Sequence, residues 1–99
     1  MVNSKAIILG GSGQGEAIVA NRFPNVRAVV YYGSNLDIIK LSREHNDANV
    51  LSLGAKFLST EEAREVVKLW LATPFSGDKR HTRRLEEIDK LEESLYKNP

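Results

Sequence analysis

The stretch Ala6–Glu16, AIILGGSGQGE, joins a short apolar run to a glycine-rich turn and then to a carboxylate. Four consecutive apolar residues stopped by Gly10-Gly11 read as a strand buried on both faces. The turn feeds a helical stretch running roughly from Gly15 to Arg22. A strand that hands a glycine turn to a helix is the opening half of a parallel β–α–β unit.

Working outward, the same alternation recurs. Val26–Tyr32 (VRAVVYY) and Val50–Leu53 before Gly54 are further β-rich runs, separated by a helical stretch from about Leu36 to Glu44. Pro24-Asn25 makes the break before the second run. Ser59 with Glu62 three residues on fits a capping box, and Val66, Val67, Leu69, Trp70 and Leu71 supply the apolar face of the helix it starts. Thr73-Pro74 stops that helix. After a Gly77-Asp78 turn, a last helix carries Leu85, Ile88, Leu91 and Leu95 on one stripe, which needs its own sheet or a partner subunit to cover it. The reading is therefore α/β: an open parallel sheet of three strands with flanking helices and a C-terminal helix, in a single domain over residues 1–99. Trp70 and Phe75 read as core residues.

Composition removes several classes of function. The formal charge of +1 is too small for nucleic-acid binding by bulk electrostatics. The absence of cysteine excludes disulfides, thiolate metal sites and a cysteine nucleophile. Two histidines far apart in sequence make a poor zinc set, so neither metal nor cofactor is expected. The first apolar run is too short for a signal peptide or a membrane span, so a soluble cytoplasmic protein is the default.

The glycine turn carries the chemistry. Glycines let the backbone approach a ligand, and a helix start presents free N–H groups to an anion. A dinucleotide fingerprint begun at Gly11 would need its third glycine at Glu16, and Tyr31-Tyr32-Gly33 offers no acid to a ribose. A Walker loop from Gly10 to Gly15 would need lysine at Glu16, where a carboxylate repels phosphate. What remains is a donor-rich turn with one carboxylate at its edge, which suits proton abstraction beside a carbonyl. The plainer alternative, that Glu16 only complements the helix dipole, stays open on these residues alone.

Four segments, GGSGQGEAIVANR (Gly10–Arg22), VRAVVYY (Val26–Tyr32), LSREHNDANVLSLGAKF (Leu41–Phe57) and TPFSGDKRHTRR (Thr73–Arg84), give the chain its resemblance to the ribose-5-phosphate isomerase B and galactose-6-phosphate isomerase family. The resemblance implies a Rossmann-like fold and an aldose–ketose isomerase of the pentose phosphate pathway in carbohydrate metabolism, interconverting ribose 5-phosphate and ribulose 5-phosphate. Some members of that family place a cysteine where Gly10 stands; this chain resembles the type that uses a glutamate at the end of the turn, Glu16. By the same resemblance, Gly11, Ser12, Gly13, Gln14 and Gly15 cradle the substrate, His45 donates a proton for ring opening, Asn46 binds a sugar hydroxyl, and Arg80 and Arg84 hold the phosphate. Lys56 stands where the family usually has arginine, which weakens or rearranges a contact there.

The resemblance further implies a homodimer whose site is shared, with His45 and Asn46 serving the neighbour's Glu16, and neither a nucleic acid nor a membrane as partner. It maps the chain onto the C-terminal two-thirds of such an isomerase, without the N-terminal segment that holds an Asp-His pair. The first strand corresponds to one that is interior in the family sheet, so loss of its neighbours would bare an apolar edge. Each residue also has a plainer role: His45 as a structural histidine at a helix end, Lys79, Arg80, Arg83 and Arg84 as a solvated basic turn, His81 as structural or rim. Against the second, Arg80 and Arg84 are one helical turn apart and can face one anion. The alternatives to a ribose 5-phosphate isomerase are a catalytically silent sugar-phosphate-binding or structural fragment, or an isomerase for allose or galactose 6-phosphate.

Overall fold

The computed structural model describes residues 4–96 of the 99. In chain order these form β1 (Ala6–Gly10), α1 (Gln14–Ala20), β2 (Ala28–Tyr31), α2 (Asp37–Glu44), β3 (Val50–Gly54), a 3₁₀ turn (Ala55–Phe57), α3 (Thr60–Ala72) and α4 (Lys79–Tyr96). All three strands are parallel, in the order β1-β3-β2, with Ala6 and Ala28 both opposite Val50. The chain thus crosses from β1 over to β2 and then steps back to β3. Right-handed crossovers in opposite directions put α1 on one face of the sheet and α2 on the other.

Alternation along β3 distributes those faces. Leu51 and Leu53 are buried with Ile39 of α2 and Val66 and Trp70 of α3, in a core that also holds Tyr31 and Ala48. Ser52 points the other way, to the α1 side, where its Oγ donates to the Gly13 carbonyl at 2.6 Å. The capping box at the start of α3 is complete: Ser59 Oγ accepts the Glu62 N–H, and Glu62 returns to the Ser59 N–H.

Three expectations need correction. β1 is an edge strand rather than one buried on both faces, because among the described residues it pairs only with β3. Ile7 and Leu9 share the face of Leu51 and Leu53, yet Leu9 is 64% exposed since no helix reaches over it. Leu71 does not join the apolar face of α3 and is 53% exposed; five residues after the buried Val66, it lies about 140° around the helix. Phe75, read as a core residue beside Trp70, is only half-buried and lies outside that core, and the 3₁₀ turn that carries Lys56 has no counterpart in the sequence reading.

α4 runs across the end of the sheet where the strands begin, tied there by Tyr96 Oη donating to the Arg22 carbonyl (2.9 Å) and by the Asn25 N–H donating to Glu92 (3.1 Å). Its stripe stays open: Ile88, Leu91 and Leu95 are all exposed, so the chain's own sheet does not cover them. No helix among the described residues is long and apolar enough to cross a membrane.

Candidate functional site

The expected site residues fall into two groups, at opposite ends of the sheet. The first is the glycine turn, at the end where the strands finish. Gly13 has a left-handed φ of 79°, and a Cβ there would lie 3.0 Å from the Leu53 carbonyl carbon and 3.1 Å from the Gly54 nitrogen. Only glycine satisfies both the torsion and the space. With its carbonyl held by Ser52, the turn is fixed from β3, and Ser12 Oγ accepts the Gln14 N–H at 3.3 Å. Among the described residues, the N–H groups of Gly11, Ser12 and Gly13 donate to no other group, so three amides in succession are available to an incoming oxygen.

Glu16, in the first turn of α1, does not extend into solvent. Its carboxylate folds back over Gly10, so that a Cβ built on Gly10 would collide with both carboxylate oxygens. The acid therefore fills the volume that a side chain at position 10 would take, at the mouth of the turn. Lys56 reaches the same place from the 3₁₀ turn. Its N–H donates to the Gly11 carbonyl at 3.0 Å, and its aliphatic chain runs alongside Gly11. A cavity of about 340 Å³ lined by Gln14, Val30–Ser34 and Ile38 opens beside this end, and the exposed ring of Tyr32 lies 5.9 Å from that of Phe57, which follows Lys56 in the chain. A crevice beyond the carboxyl ends of the strands is where open α/β sheets take their ligands.

The second group lies at the other end, where α2 and α3 finish and α4 starts. His45 caps α2, and its ring stacks on that of His81, with centroids 4.0 Å apart and planes 29° from parallel. The two histidines, distant in sequence, are thus neighbours in space. Face-to-face rings send their nitrogens out in separate planes, and among the described residues no three His, Cys, Asp or Glu side chains converge on a common point. Asn46, Arg80 and Arg84 are exposed, each within one helical turn of one of these rings along the chain.

A buried arginine holds this end together. Arg43 Nε donates to the Thr73 carbonyl (3.0 Å), while its Nη1 donates to Asp47 Oδ1 (2.9 Å) and to the Ala48 carbonyl (2.8 Å). Its guanidinium also lies 5.9 Å from the Trp70 ring centre. Asp47, which adopts a positive φ of 46°, is gripped from the opposite side by Arg27 at 3.1 Å. The short link carrying His45 and Asn46 is therefore fastened to both β2 and α3. The sequence reading passed over Arg43, and it left His81 as structural or rim without pairing it with His45. Arg43 could have been suspected as a cation among apolar helix positions, but the His81 pairing had no local signal.

Charges at this end are mutually adjusted. The Arg80 N–H donates to Asp78 Oδ1 at 2.9 Å, and this bond, with the positive charges of Arg80 and the histidines, holds the Asp78 carboxyl below its usual range. Burial, followed by the charges of His45 and Arg80, pulls His81 below the ordinary histidine value. A second cavity, about 550 Å³, is walled by Pro24, Asn25, Asp89, Glu92, Glu93 and Tyr96. It contains none of the expected residues, and its acids would repel a phosphate.

Comparison with known proteins concerns the chain as a whole. Residues 2–88 match the family model described as Ribose/Galactose Isomerase. The chain is 40% identical over 87 residues to ribose-5-phosphate isomerase B of Escherichia coli, covering 88% of this chain and 56% of that protein. Against ribose-5-phosphate isomerase B of Mycolicibacterium paratuberculosis, identity is 35% over 97 residues, covering 98% and 60%. The solved type B ribose 5-phosphate isomerase of Trypanosoma cruzi superposes with a TM-score of 0.86 at 40% identity, over 92% of this chain and 59% of that one. The Mycoplasma genitalium enzyme, solved with bound ribulose-5-phosphate, gives 0.83 at 31% identity, over 90% and 57%. The chain thus spans between half and two-thirds of the length of each of these relatives. With nearly nine-tenths of its residues matched, and with a fold that follows the relatives' Rossmann-like sheet, this chain belongs to the ribose/galactose isomerase family.

Proposed function

We propose that the chain acts as a sugar-phosphate isomerase, interconverting ribose 5-phosphate and ribulose 5-phosphate through an enediolate with Glu16 as the base. The observation that carries this reading is the Glu16 carboxylate folded over Gly10, beside a run of undonated amides. A group that only complemented a helix dipole would have no reason to occupy the volume of a missing side chain at the mouth of that turn.

On this reading His45 gives a proton to the ring oxygen as the bond from that oxygen to C1 breaks, and the C1 hydroxyl releases its own proton, leaving an open-chain aldehyde. Glu16 then takes the hydrogen from C2. The electron pair moves into the C1–C2 bond, and the charge passes to the C1 oxygen, where amides of Gly11–Gly15 and the Lys56 ammonium stabilise it. Return of the proton to C1, with transfer of the C2 hydroxyl hydrogen to O1, gives the ketose. Arg80 and Arg84 hold the phosphate, and Asn46 meets a hydroxyl. A positioned base of this kind contributes about 10²–10⁴-fold in rate.

The separation of the two residue groups adds a condition. Five residues of strand lie between them, about 15 Å at about 3.3 Å per residue. One pentose phosphate cannot meet Glu16 and His45 of the same chain at reacting distance, so turnover on this reading needs a second copy, with the exposed α4 stripe as the surface available to hold it. A single copy would bind sugar phosphate without converting it, which is the second reading this separation favours.

Glu16→Gln tests the first reading in a pentose-phosphate isomerisation assay: a loss of about 10²–10⁴-fold in kcat is expected, and an undiminished rate removes Glu16 as the base. Calorimetric titration of the unaltered chain with ribose 5-phosphate separates the two readings, since binding without turnover supports the silent form.

A further inference from the structure

His81 is only 6% exposed, although it stands in the first turn of a helix whose other described residues are half-buried or open to solvent. Its Nδ1 lies 3.2 Å from Ser76 Oγ. Ser76 is itself fixed twice: its N–H donates to the Glu44 carbonyl at 3.1 Å, and its Oγ accepts the Asp78 N–H at 3.2 Å. The hydroxyl keeps its own hydrogen to give to His81 Nδ1, an arrangement that goes with the ring proton on Nε2. Glu44 immediately precedes His45, so one serine ties the His81 ring to the backbone that carries its stacking partner.

We propose that His81 is a positioning residue for His45: a buried ring, pinned through Ser76 to Glu44, that backs the His45 imidazole and fixes the plane in which it meets a sugar. This rests on His45 being the proton donor of the isomerase reading. The contact also bears on the charge of His81. Two imidazolium rings in face contact repel each other. The groups facing His81 are His45 from the end of α2, Asp78 from the preceding loop, and Arg80 and Arg84 from α4. Burial, His45, Arg80 and Arg84 all disfavour a charge on His81, and only Asp78 favours one. His81 is therefore the ring held neutral, and it presents an uncharged flat face to His45. Neither ring could do this alone, because an unbacked His45 at a helix end would turn freely about its side-chain bonds.

The chain has two histidines, so their ring signals can be followed by NMR through a pH titration and assigned with single variants. His81 is expected to titrate below the ordinary histidine value. In His45→Asn the titration of His81 should move up toward the ordinary histidine value. The sign for stability follows. Because folding holds His81 below about 6.5, the unfolded chain takes up that proton first, so the contribution present above about pH 6.5 is lost as pH falls through the folded value. His81→Phe should lack that loss.

In the isomerisation assay, His81→Ala should lower kcat by roughly 10²-fold, as about 1 Å of misplacement can, with KM near that of the unaltered chain. His81→Phe should restore most of the rate, since it keeps a flat ring behind His45. The proposal is overturned if His81 titrates at the ordinary histidine value and does not move in His45→Asn, or if His81→Ala keeps full kcat. If His81→Ala fails to fold, the titration of the unaltered chain and the rate of His81→Phe decide it. Full turnover in His45→Asn would instead remove the donor role, and the titration of His81 would still stand or fall by its own result.

Discussion

The two ends of the sheet are built by different means. Where the strands finish, the candidate site is made of backbone: the turn Gly10–Gly15 supplies amides, and its shape is set by one left-handed glycine and one hydrogen bond from Ser52. Where the strands begin, it is made of side chains from segments some thirty residues apart: Arg43 reaching Thr73, and His45 resting on His81. A backbone site needs little beyond its own residues. A side-chain site depends on everything that holds its segments together. The first end should therefore tolerate changes elsewhere in the fold, and the second should fail when its clamp is cut.

The largest expected effect tests whether the two ends meet across a pair of chains. Glu16→Gln and His45→Asn, each alone, should lower isomerase turnover by about 10²–10⁴-fold. Mixed in equal amounts and allowed to exchange subunits, they should recover about a quarter of the unaltered rate, because half of randomly paired twofold dimers carry one site with both groups intact. No recovery, with exchange verified by mass, would mean that the two ends do not share a substrate.

Cutting the clamp comes next. Arg43→Met removes a buried guanidinium that donates to two carbonyls and a carboxylate. Its cost should be about 2–4 kcal/mol in a urea unfolding series, since charged hydrogen bonds are lost while Arg27 still neutralises Asp47. The folded fraction should show the His45 and His81 signals moving toward free histidine, with the Gly11–Gly15 amide signals unchanged. A change spread equally over both ends would break the contrast drawn above.

That same contrast explains what could be read without a structure. Gly10–Glu16 is contiguous, and its torsional and charge requirements are local, so the turn, the acid at its edge and the failure of both nucleotide patterns were legible from residue types alone. The capping box at Ser59 and Glu62 was legible for the same reason, as was the stop at Thr73-Pro74. The order β1-β3-β2 was not, because parallel crossovers leave no local mark of which neighbour a strand pairs with. β1 looked like a doubly buried strand because its apolar run suits such a place; that the place is an edge depends on what lies beside it. The His45–His81 stack spans 36 positions and needs the length of α3 to close it, so periodicity could not show it. Leu71 was misjudged for a smaller reason: an apolar residue next to Trp70 need not share its face.

The smallest effect asks whether the glycines of the turn serve the fold or the ligand. Gly13→Ala should cost about 2 kcal/mol, the penalty of a left-handed torsion for an L-residue, and more if the Leu53 carbonyl cannot yield to the new Cβ. Gly15 is different. It sits in the first turn of α1, its φ is not positive, and a Cβ there would meet no atom within 4 Å. By local physics alanine is the better residue, and Gly15→Ala should stabilise the chain by about 0.5 kcal/mol in the same urea series. A glycine that weakens its helix and fills no tight space is explained if something outside the chain must approach its backbone. Gly15→Ala should therefore gain stability and lose affinity for ribose 5-phosphate in calorimetry, while Gly13→Ala loses both together. If Gly15→Ala gains stability and binds as tightly as before, the ligand does not pass that residue, and the cradle shrinks to Gly11–Gln14.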